Sequence, residues 1–447
     1  MNKLSKRILL LTAPRPSVVE TPLHFGDNRP PQGLGYIAAY LNAHGHETSI
    51  IDLYHFGGEA ERSNEGVNQE ETFQNLFIDL DFEIQTFNPD FIGMYIHTMS
   101  FYKACELGKY LKEKYPHIKL LCGGPHPSVL PVTVPSYFDY VVVGEGEFVS
   151  LEIVEGRIKE RIVQGRKVEN LDILPWPDYD DFFSKPYNWK LKLFGHEILE
   201  PVMSLNTTRG CPFPCKFCGV QSISGSGVRS VSPERLVDKV EELKDKYGIQ
   251  GVYFREDNFT TDIGRLKKFC ELMIRNRINL KWACESRIKD LSPSLIELMA
   301  RAGCCGLYIG VESGSPRMLE YVKKMEKVED FLEKFPILHD NGIRTYTTWI
   351  FGLPTETRED RVLSRKLLDK LAPTAYDEFV YIGIPKSDFY RQMEKNKEYE
   401  FKESNGFIYP KGYLSLSRQL YGEKDPRNLY VENMYKKNGV IPVEVKL

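Results

Sequence analysis

Short aliphatic runs alternate with amphipathic segments along the first 150 residues. In the first amphipathic segment, residues 33–44, Leu34, Ile37, Ala38 and Leu41 fall on one helical face. The aliphatic runs are rich in Val, Ile and Leu, as is typical of parallel strands buried on both faces. The pattern predicts strands at 7–12, 46–53, 91–96, 119–122 and 140–143 and helices at 33–44 and 102–115. Residues 1–155 are therefore predicted to form an α/β domain, a doubly wound Rossmann-like parallel sheet.

The same alternation resumes near residue 199. It predicts strands at 202–206, 251–254, 280–284, 306–311, 344–351 and 378–382. Helices are predicted at 233–247, 263–277, 293–302, 316–322, 328–341 and 358–371. These βα steps predict a partial (βα)6 TIM-like barrel over residues 199–385, with its chemistry at the carboxyl ends of the strands.

The remaining segments are predicted to connect or cover the two domains. Residues 156–198 are predicted to be a linker, with a short hairpin over 155–168 and a proline-braced connector over 171–179. Residues 386–447 are rich in Tyr, Phe and charge and lack a clear period. This C-terminal region is predicted to be an irregular lid over the barrel.

Composition narrows the class of protein. The net charge of −3 leaves no basic excess to meet phosphates, which argues against a nucleic-acid partner. No apolar run approaches the roughly 18 residues of a membrane-spanning helix, and the run at 7–12 is too short for a signal peptide. Nine cysteines in a chain of this length are typical of reduced cytosolic thiols. A cytoplasmic protein is therefore expected.

Three cysteines carry the strongest chemical signal. Cys211, Cys215 and Cys218 have the spacing C-x3-C-x2-C and follow an apolar run at 201–205. A disulfide would strand one of them, and a zinc site would need a fourth Cys or His nearby. Three thiolates can instead hold three irons of a [4Fe–4S] cluster and leave the fourth iron open. The three cysteines are therefore the predicted metal ligands.

This spacing, with the aromatic Phe217 directly before the last cysteine, resembles the signature of the radical SAM superfamily. The resemblance implies that S-adenosylmethionine (SAM) chelates the open iron and that one electron splits it to a 5′-deoxyadenosyl radical. It also implies a flavodoxin- or ferredoxin-type electron donor as partner.

Polar residues follow the predicted barrel strands, where a cofactor could meet them. By the same resemblance, Glu256 or Asp257 receives the SAM amino group, Ser286 and Arg287 meet its ribose and carboxylate, and Glu312 contacts other polar groups. Phe217 is also expected to touch SAM. The alternative for each acid is a strand-end residue that caps the following helix.

Two segments depart from the pattern of many relatives. Lys323-Lys324-Met325 stands in place of Lys-Gly-Thr, and Ile384-Pro385-Lys386-Ser387 in place of Pro-Gly-Thr-Pro. The second segment normally faces the substrate, so the resemblance does not identify a substrate. Lys386 and Asp388 are the candidate acid–base residues.

The first 150 residues resemble the cobalamin-binding domain attached to many radical SAM enzymes. The matching pieces are Pro30–Ala39, Gly45–Glu47, Gly123–His126 and Val143–Glu147. The resemblance implies that cobalamin is bound by Gly33, Tyr95, Gly123, Gly124, Pro125, His126, Gly144 and Glu145. The alternative is a scaffold that has lost its cofactor.

No Asp-x-His-x-x-Gly motif follows the first predicted strand. Its loop, residues 13–32, has one histidine, His24, and Asp52 with His55 is a near miss after the second strand. Cobalamin is therefore expected to bind without a histidine on cobalt.

The expected function is methyl transfer to a carbon or phosphorus centre of a small-molecule substrate. The first alternative is a non-methylating radical SAM enzyme of the same architecture, which would dehydrate, cyclise or rearrange a sugar, lipid or natural product. A methylthiotransferase needs a second three-cysteine site, but only Cys105 and Cys122 precede Cys211. A non-enzymatic sensor is disfavoured by the polar loops of the SAM site.

Overall fold

The computed structural model describes residues 5–14, 29–56, 69–185, 187, 189–193, 197–437 and 439–446. The chain divides into two compact units. The first comprises Met1–Glu169, Ile173–Asn188 and Ser404–Gly406, and the second comprises Asn170–Asp172, Trp189–Glu403 and Phe407–Leu447.

A six-stranded parallel sheet forms the centre of the first unit. Its strands are β1 (Arg7–Thr12), β2 (Glu47–Asp52), β3 (Phe91–Tyr95), β4 (Lys119–Gly123), β5 (Tyr140–Val143) and β6 (Ile162–Gln164). The helices of this unit are Gln32–Ala43, Leu53–Phe56, Gln69–Phe87, Phe101–Lys114, Pro125–Val129, Glu147–Val154 and Tyr179–Phe183, with a short 3-10 turn at Pro131–Thr133.

The strand order of this sheet is β2-β1-β3-β4-β5-β6. Because β1 lies between β2 and β3, the order reverses at β1, and ligands of such sheets bind outside the carboxyl ends of the strands at this reversal. The doubly wound parallel fold predicted from the aliphatic runs is confirmed.

One prediction for this unit is wrong. Residues 155–168 were expected to form a hairpin, but Ile162–Gln164 is a sixth strand that pairs in parallel with β5. In the register of this pair Val163 lies beside Val142, and the segment is stabilised by its place at the edge of the sheet. It is too short and too polar for its hydrophobic pattern to predict a strand.

The second unit is built on another six-stranded parallel sheet. Its strands are β9 (Val202–Leu205), β12 (Gly251–Phe254), β13 (Lys281–Ser286), β14 (Cys304–Glu312), β15 (Arg344–Phe351) and β16 (Ala375–Val380), which pair in the order of the sequence. Two-stranded pairs are formed by β7 (Leu191–Leu193) with β8 (Glu197–Leu199), β10 (Thr208–Arg209) with β11 (Arg229–Ser230), and β17 (Phe401–Lys402) with β18 (Ile408–Tyr409).

The helices of the second unit are Val220–Ile223, Pro233–Tyr247, Ile263–Arg275, Pro293–Arg301, Pro316–Tyr321, Val328–Asp340, Arg358–Leu371, Asp388–Asn396, Tyr413–Tyr421 and Pro426–Lys437. Local signals explain several ends. Pro233 occupies the first turn of its helix, and Gly248 ends that helix in the left-handed conformation. Thr357 and Asp360 form a capping box at Arg358.

The sequential strand order puts the connecting helices on one face of this sheet, because parallel crossovers share one hand. On that face Phe254, Phe259, Phe269 and Trp282 pack ring against ring. The opposite face carries tyrosines and carboxylates, and it is called here the inner face. The open, sequential sheet agrees with the predicted partial barrel.

The C-terminal region was expected to be irregular, but it contains three helices and the β17–β18 pair. Its apolar side chains, among them Leu414, Leu416 and Val431, pack with Val380 of β16. The prediction was wrong because the apolar positions of this region are aromatic and scattered, and become a core only once packed on β16.

Among the described residues, no helix combines the length and apolar content needed to cross a membrane.

Candidate active site

The three cysteines lie on the loop that follows β9 and β10, at the carboxyl end of the second sheet. All three are half-buried free thiols. The loop turns at Gly210, whose φ of +87° and close approach to the Gly227 carbonyl exclude a side chain; a Cβ there would lie 2.1 Å from that oxygen. The Gln221 amide braces the loop by donating to the Phe213 carbonyl at 3.0 Å.

The donor chemistry of this loop fits an iron–sulfur cluster. The Val220 N–H donates to the Cys218 sulfur at 3.5 Å, a contact that stabilises a thiolate. Within the described residues, no three Cys, His, Asp or Glu side chains converge as ligands of a single ion would. The thiols nonetheless influence one another: burial raises the pKa of Cys211 and of Cys218, the latter to about 11, and the neighbouring thiols and Asp257 add to both shifts. A cluster, with a different iron for each cysteine, suits such a spread set of thiols.

The two acids after β12 differ in what they contact. Glu256 accepts hydrogen bonds from the Thr207 hydroxyl at 2.6 Å and the Thr208 hydroxyl at 2.5 Å, so both of its oxygens hold the start of the cysteine loop. Asp257 accepts from the Gly210 N–H at 3.0 Å and remains exposed. Of the predicted pair, Asp257 is therefore the acid that a ligand at the cysteine loop could reach.

Ser286 and Arg287 end β13 and are both buried. The Ser286 hydroxyl is 2.9 Å from that of Thr260. The Arg287 guanidinium lies 3.7 Å from the centre of the Phe213 ring and 3.6 Å from the Cys215 sulfur. Arg287 thus lies directly against the cysteine loop, as a residue of the cluster and SAM site should.

Glu312 ends β14 in the left-handed region, with φ +68°, although it is not glycine. Such a conformation costs about 1–3 kcal/mol and is common at functional sites. Its carboxylate lies 3.6 Å from the ammonium of Lys324, which is also 3.4 Å from Glu326. Burial alone would lower the pKa of Lys324, but the Glu326 and Glu312 carboxylates raise it, so the ammonium stays charged.

Arg287 joins this group, because its guanidinium lies 3.5 Å from Glu326 and bonds the Lys324 carbonyl. Two cations and two carboxylates therefore form one buried network beside Cys215. Sequence reasoning missed Lys324 and Glu326. The sequence signal that could have found them is Lys323-Lys324-Met325, which stands where many relatives have Lys-Gly-Thr. In the structure Lys323 and Met325 both have positive φ.

The other predicted residues of this unit lie apart from that network. Phe217 packs against an apolar cluster that includes Met318, Leu353 and Phe389. Lys386 and Asp388 are exposed at the start of the helix Asp388–Asn396, where Asp388 pairs with Arg391. The acid–base role of both residues stays a prediction.

In the first unit, the predicted cobalamin residues follow β3, β4 and β5. Gly124 has φ +100°, and a Cβ there would lie 2.8 Å from the Tyr95 ring. The Ser128 hydroxyl donates to the Gly124 carbonyl at 2.7 Å and accepts from the Gly144 N–H at 3.0 Å. Ser128, which sequence reasoning missed, thus links the loop after β4, with Gly123 and Pro125, to the loop after β5.

Three predicted cobalamin residues have other roles or positions. The His126 imidazole is fully buried, stacks on Phe101 at 3.9 Å and bonds the Thr133 hydroxyl at 2.9 Å. Burial lowers its pKa to about 4, so it is neutral. The Glu145 carboxylate accepts from the Val168 N–H at 2.8 Å, and Gly33 lies exposed in the first turn of its helix. The His126 side chain therefore packs inside the unit, against Phe101 and Thr133.

Unsatisfied polar atoms mark the same edge of the sheet. The Gln32 amide, the Ser100 hydroxyl and the His126 Nδ1 are buried and lack a hydrogen-bond partner. They lie on the segments that follow β1, β3 and β4. Buried polar groups are nearly always satisfied, so these atoms indicate a missing ligand, and the edge fits a bulky polar cofactor. His24 lies outside the described residues, as does the side chain of His55.

Comparison with family models gives two matches. Residues 205–368 match the model of the radical SAM superfamily, and residues 23–154 match that of the B12-binding domain. The first match contains the three cysteines and every predicted SAM residue, and the second contains the predicted cobalamin residues.

Curated relatives match most of the chain. An uncharacterised methyltransferase of Pyrococcus horikoshii is 28% identical over 386 residues, which cover 82% of this chain and 78% of the relative. The anaerobic magnesium-protoporphyrin IX monomethyl ester cyclase of Rubrivivax gelatinosus is 26% identical over 406 residues, covering 86% and 70%.

Among solved structures, the radical S-adenosylmethionine methyltransferase TsrM from Kitasatospora setae, with cobalamin and a [4Fe–4S] cluster bound, has a TM-score of 0.65. The match covers 98% of this chain and 87% of TsrM at 16% identity. At that identity the likeness concerns the fold.

Proposed function

We propose that the chain, which matches the radical SAM model over residues 205–368 and the B12-binding model over residues 23–154, methylates a carbon, or a phosphorus, of a small molecule. The proposal rests on one observation: the chain contains two candidate cofactor sites. One is the three-cysteine loop with its charged network, and the other is the sheet edge with unsatisfied Gln32, Ser100 and His126. When bound, the cluster and SAM supply a 5′-deoxyadenosyl radical, and cobalamin supplies the methyl group.

The residues of the second unit hold and orient these cofactors. Cys211, Cys215 and Cys218 hold the cluster. Asp257 is exposed beside the thiols and receives the SAM amino group, while Glu256 keeps the loop in place. Ser286, Arg287 and Glu312 complete the site, with Phe217 packed behind the last cysteine. The electron comes from a flavodoxin- or ferredoxin-type donor.

The first unit holds cobalamin through backbone and small side chains. The segments that contain Gly33, Tyr95, Gly123, Gly124, Pro125, Gly144 and Glu145 form the edge, and His126 supports it from within. A fully buried, neutral His126 that bonds Thr133 is not a ligand for cobalt, which supports binding without a histidine on the metal.

A non-methylating reaction is the second candidate, because one relative is a cyclase. The two candidates differ in the fate of the methyl group. Anaerobically reconstituted protein should be given SAM with a deuterated methyl group, a strong reductant and cobalamin. Label that reaches cobalamin supports methyl transfer. Cleavage of SAM to 5′-deoxyadenosine with no labelled cobalamin, in protein that retains cobalamin, would favour the second candidate.

A further inference from the structure

The inner face of the second sheet carries a row of tyrosines that the cofactor sites do not use. Tyr253, Tyr308 and Tyr346 lie on β12, β14 and β15, and neighbouring rings are 5.1 and 5.0 Å apart. Side chains on this face point away from the helices, since Phe254, the neighbour of Tyr253, packs on the helix side. Tyr308 and Tyr346 are half-buried and offer flat apolar surface to a molecule lying inside the barrel, whereas Tyr253 is buried at the end of the row.

Carboxylates accept hydrogen bonds from both ends of this row. The Tyr253 hydroxyl donates to Glu285 at 2.5 Å, and the Tyr346 hydroxyl donates to Asp377. The second oxygen of Glu285 accepts from the Glu256 backbone N–H at 3.1 Å. The Glu285 carboxylate is therefore oriented by the Tyr253 hydroxyl and the Glu256 N–H, next to the residues proposed to bind SAM.

A buried hydroxyl without a partner lies beside this pair. Ser204 of β9 is in register with Tyr253, so both side chains point to the inner face. Ser204 is 3% exposed, and its Oγ has no hydrogen-bond partner. A polar group of a ligand would satisfy it, and the apolar residues Leu199, Val202 and Ala283 close the amino-terminal end of the face around Tyr253.

Charge on this face favours donors over anions. Glu285 and Asp377 face Tyr253, Tyr308 and Tyr346, and Glu256 lies above Glu285. Burial raises the pKa of Glu285, and the charge of Arg255, which is exposed beyond the end of β12, opposes that rise. By strand alternation Lys281 and Arg344 also lie on this face, but at its amino-terminal end, four residues before Glu285 and two before Tyr346. At Glu285 itself an anionic substrate group would meet carboxylates, whereas an amine or hydroxyl would find acceptors.

We propose that Glu285, oriented by Tyr253, is the specificity-determining residue of the barrel, and that it binds a hydroxyl or amine of a substrate whose flat apolar part lies on the tyrosine row. This inference rests on the proposed function, because it assigns the substrate class of the same site. Under this proposal the substrate group that meets Glu285 is neutral or cationic, and a phosphate or carboxylate is excluded there.

The test uses three probes that share a phenyl ring and differ in their polar group: 2-phenylethylamine, 2-phenylethanol and 3-phenylpropionate. Binding to the protein reconstituted with cluster and cobalamin is measured by saturation-transfer NMR titration. The amine and the alcohol should bind more tightly than the propionate. Glu285→Gln should weaken the amine by about 10-fold, the cost of losing a charged hydrogen-bond acceptor, and leave the propionate no weaker.

Glu378→Gln is the matched control. Glu378 is on β16 but pairs with Arg365 of the helix Arg358–Leu371 on the other face, so its loss should leave all three affinities unchanged. If Glu285→Gln does not fold, Tyr253→Phe decides, because it removes the hydroxyl that orients Glu285 and should weaken the amine several-fold, about 1 kcal/mol.

The pH dependence gives a second readout. Burial raises the pKa of Glu285 to about 7, so the acceptor is ionised only above neutral pH. Amine affinity should rise between about pH 6 and pH 8, and Glu285→Gln should remove that rise. Propionate that binds as tightly as the amine, or an unchanged amine affinity in Glu285→Gln, would overturn the proposal. SAM cleavage and cobalamin retention, measured on the same samples, report separately on the proposed function.

Discussion

At the scale of single residues, neighbouring acids on one strand end have separate tasks. Glu256 accepts three hydrogen bonds, from the Thr207 N–H and from the Thr207 and Thr208 hydroxyls, whereas Asp257 accepts from the Gly210 N–H and the Ser224 side chain and remains exposed. A carboxylate that holds three donors of its own loop stabilises the fold, and an exposed one with lone pairs left can also accept from a ligand.

Asp257→Asn should therefore weaken SAM binding by about 10-fold, because a charge-assisted hydrogen bond becomes a neutral one. Iron content should stay unchanged, since asparagine can still accept from Gly210. Calorimetric titration with SAM measures the affinity. Asp245→Asn, an exposed acid on the helix Pro233–Tyr247, is the control, and equal affinity in the two variants would contradict the assignment.

The cysteines are the second residue-scale prediction. Replacing Cys211, Cys215 and Cys218 together with Ala should abolish cluster binding and SAM cleavage, because it removes all three thiolates proposed to hold the irons. Iron analysis after reconstitution measures the loss. Cys105→Ala is the control, since that thiol lies in the first unit. About four irons per chain in the triple variant would refute the ligand assignment.

At the scale of elements, the loops at the carboxyl ends of strands are built by close backbone approach. Gly124 and Tyr95 show this in the first unit, because a Cβ on Gly124 would overlap the Tyr95 ring and its φ of +100° disfavours any side chain. The loops after β3 and β4 therefore form one surface.

Gly124→Ala should distort that surface and lower cobalamin retention. Gly156→Ala is a matched control: its φ of +72° is also in the left-handed region, but nothing lies within 4 Å of the added Cβ, so alanine there should lower stability without disturbing the loop after β4. Cobalamin absorbance after gel filtration measures retention, and thermal unfolding measures stability. Equal retention in the two glycine variants would argue against cobalamin contact at the loop after β4.

At the scale of the whole molecule, the C-terminal region belongs to the folded second unit, apart from Ser404–Gly406. Phe389 is fully buried with Met318 and Tyr381, and its N–H donates at 3.0 Å to the carbonyl of Lys216, which lies between two cluster cysteines. The helix Asp388–Asn396 is therefore part of the support of the cysteine loop.

Phe389→Ala should destabilise the protein by about 3–5 kcal/mol, the usual cost of a large cavity, and reduce the iron retained after reconstitution. Phe379→Ala is the control, because Phe379 is 40% exposed on β16. Denaturant unfolding and iron analysis check both effects. Full iron retention in Phe389→Ala would mean that the loop is stable without this helix.

The local pattern of the chain was enough to predict the two sheets. The segments at Arg7–Thr12, Tyr140–Val143, Gly251–Phe254 and Arg344–Phe351 are strands with the predicted bounds, because β-branched, aliphatic and aromatic residues dominate them and favour strands. The spacing of the three cysteines likewise predicted a cluster loop, since ligands this close in sequence need little help from the rest of the fold. The matches to the radical SAM and B12-binding models agree with both.

Contacts between distant residues decided the rest. β6 depends on the edge that β5 offers, and the C-terminal helices depend on β16. The network of Arg287, Glu312, Lys324 and Glu326 joins the ends of two strands, β13 and β14, to the segment after the helix Pro316–Tyr321. The pairing of Tyr253 with Glu285 also arises only when β12 and β13 lie side by side. A sequence by itself determines the local hydrophobic pattern and the spacing of ligands. The tertiary structure decides which polar groups are left without a hydrogen-bond partner, because folding brings their partners together from distant parts of the chain.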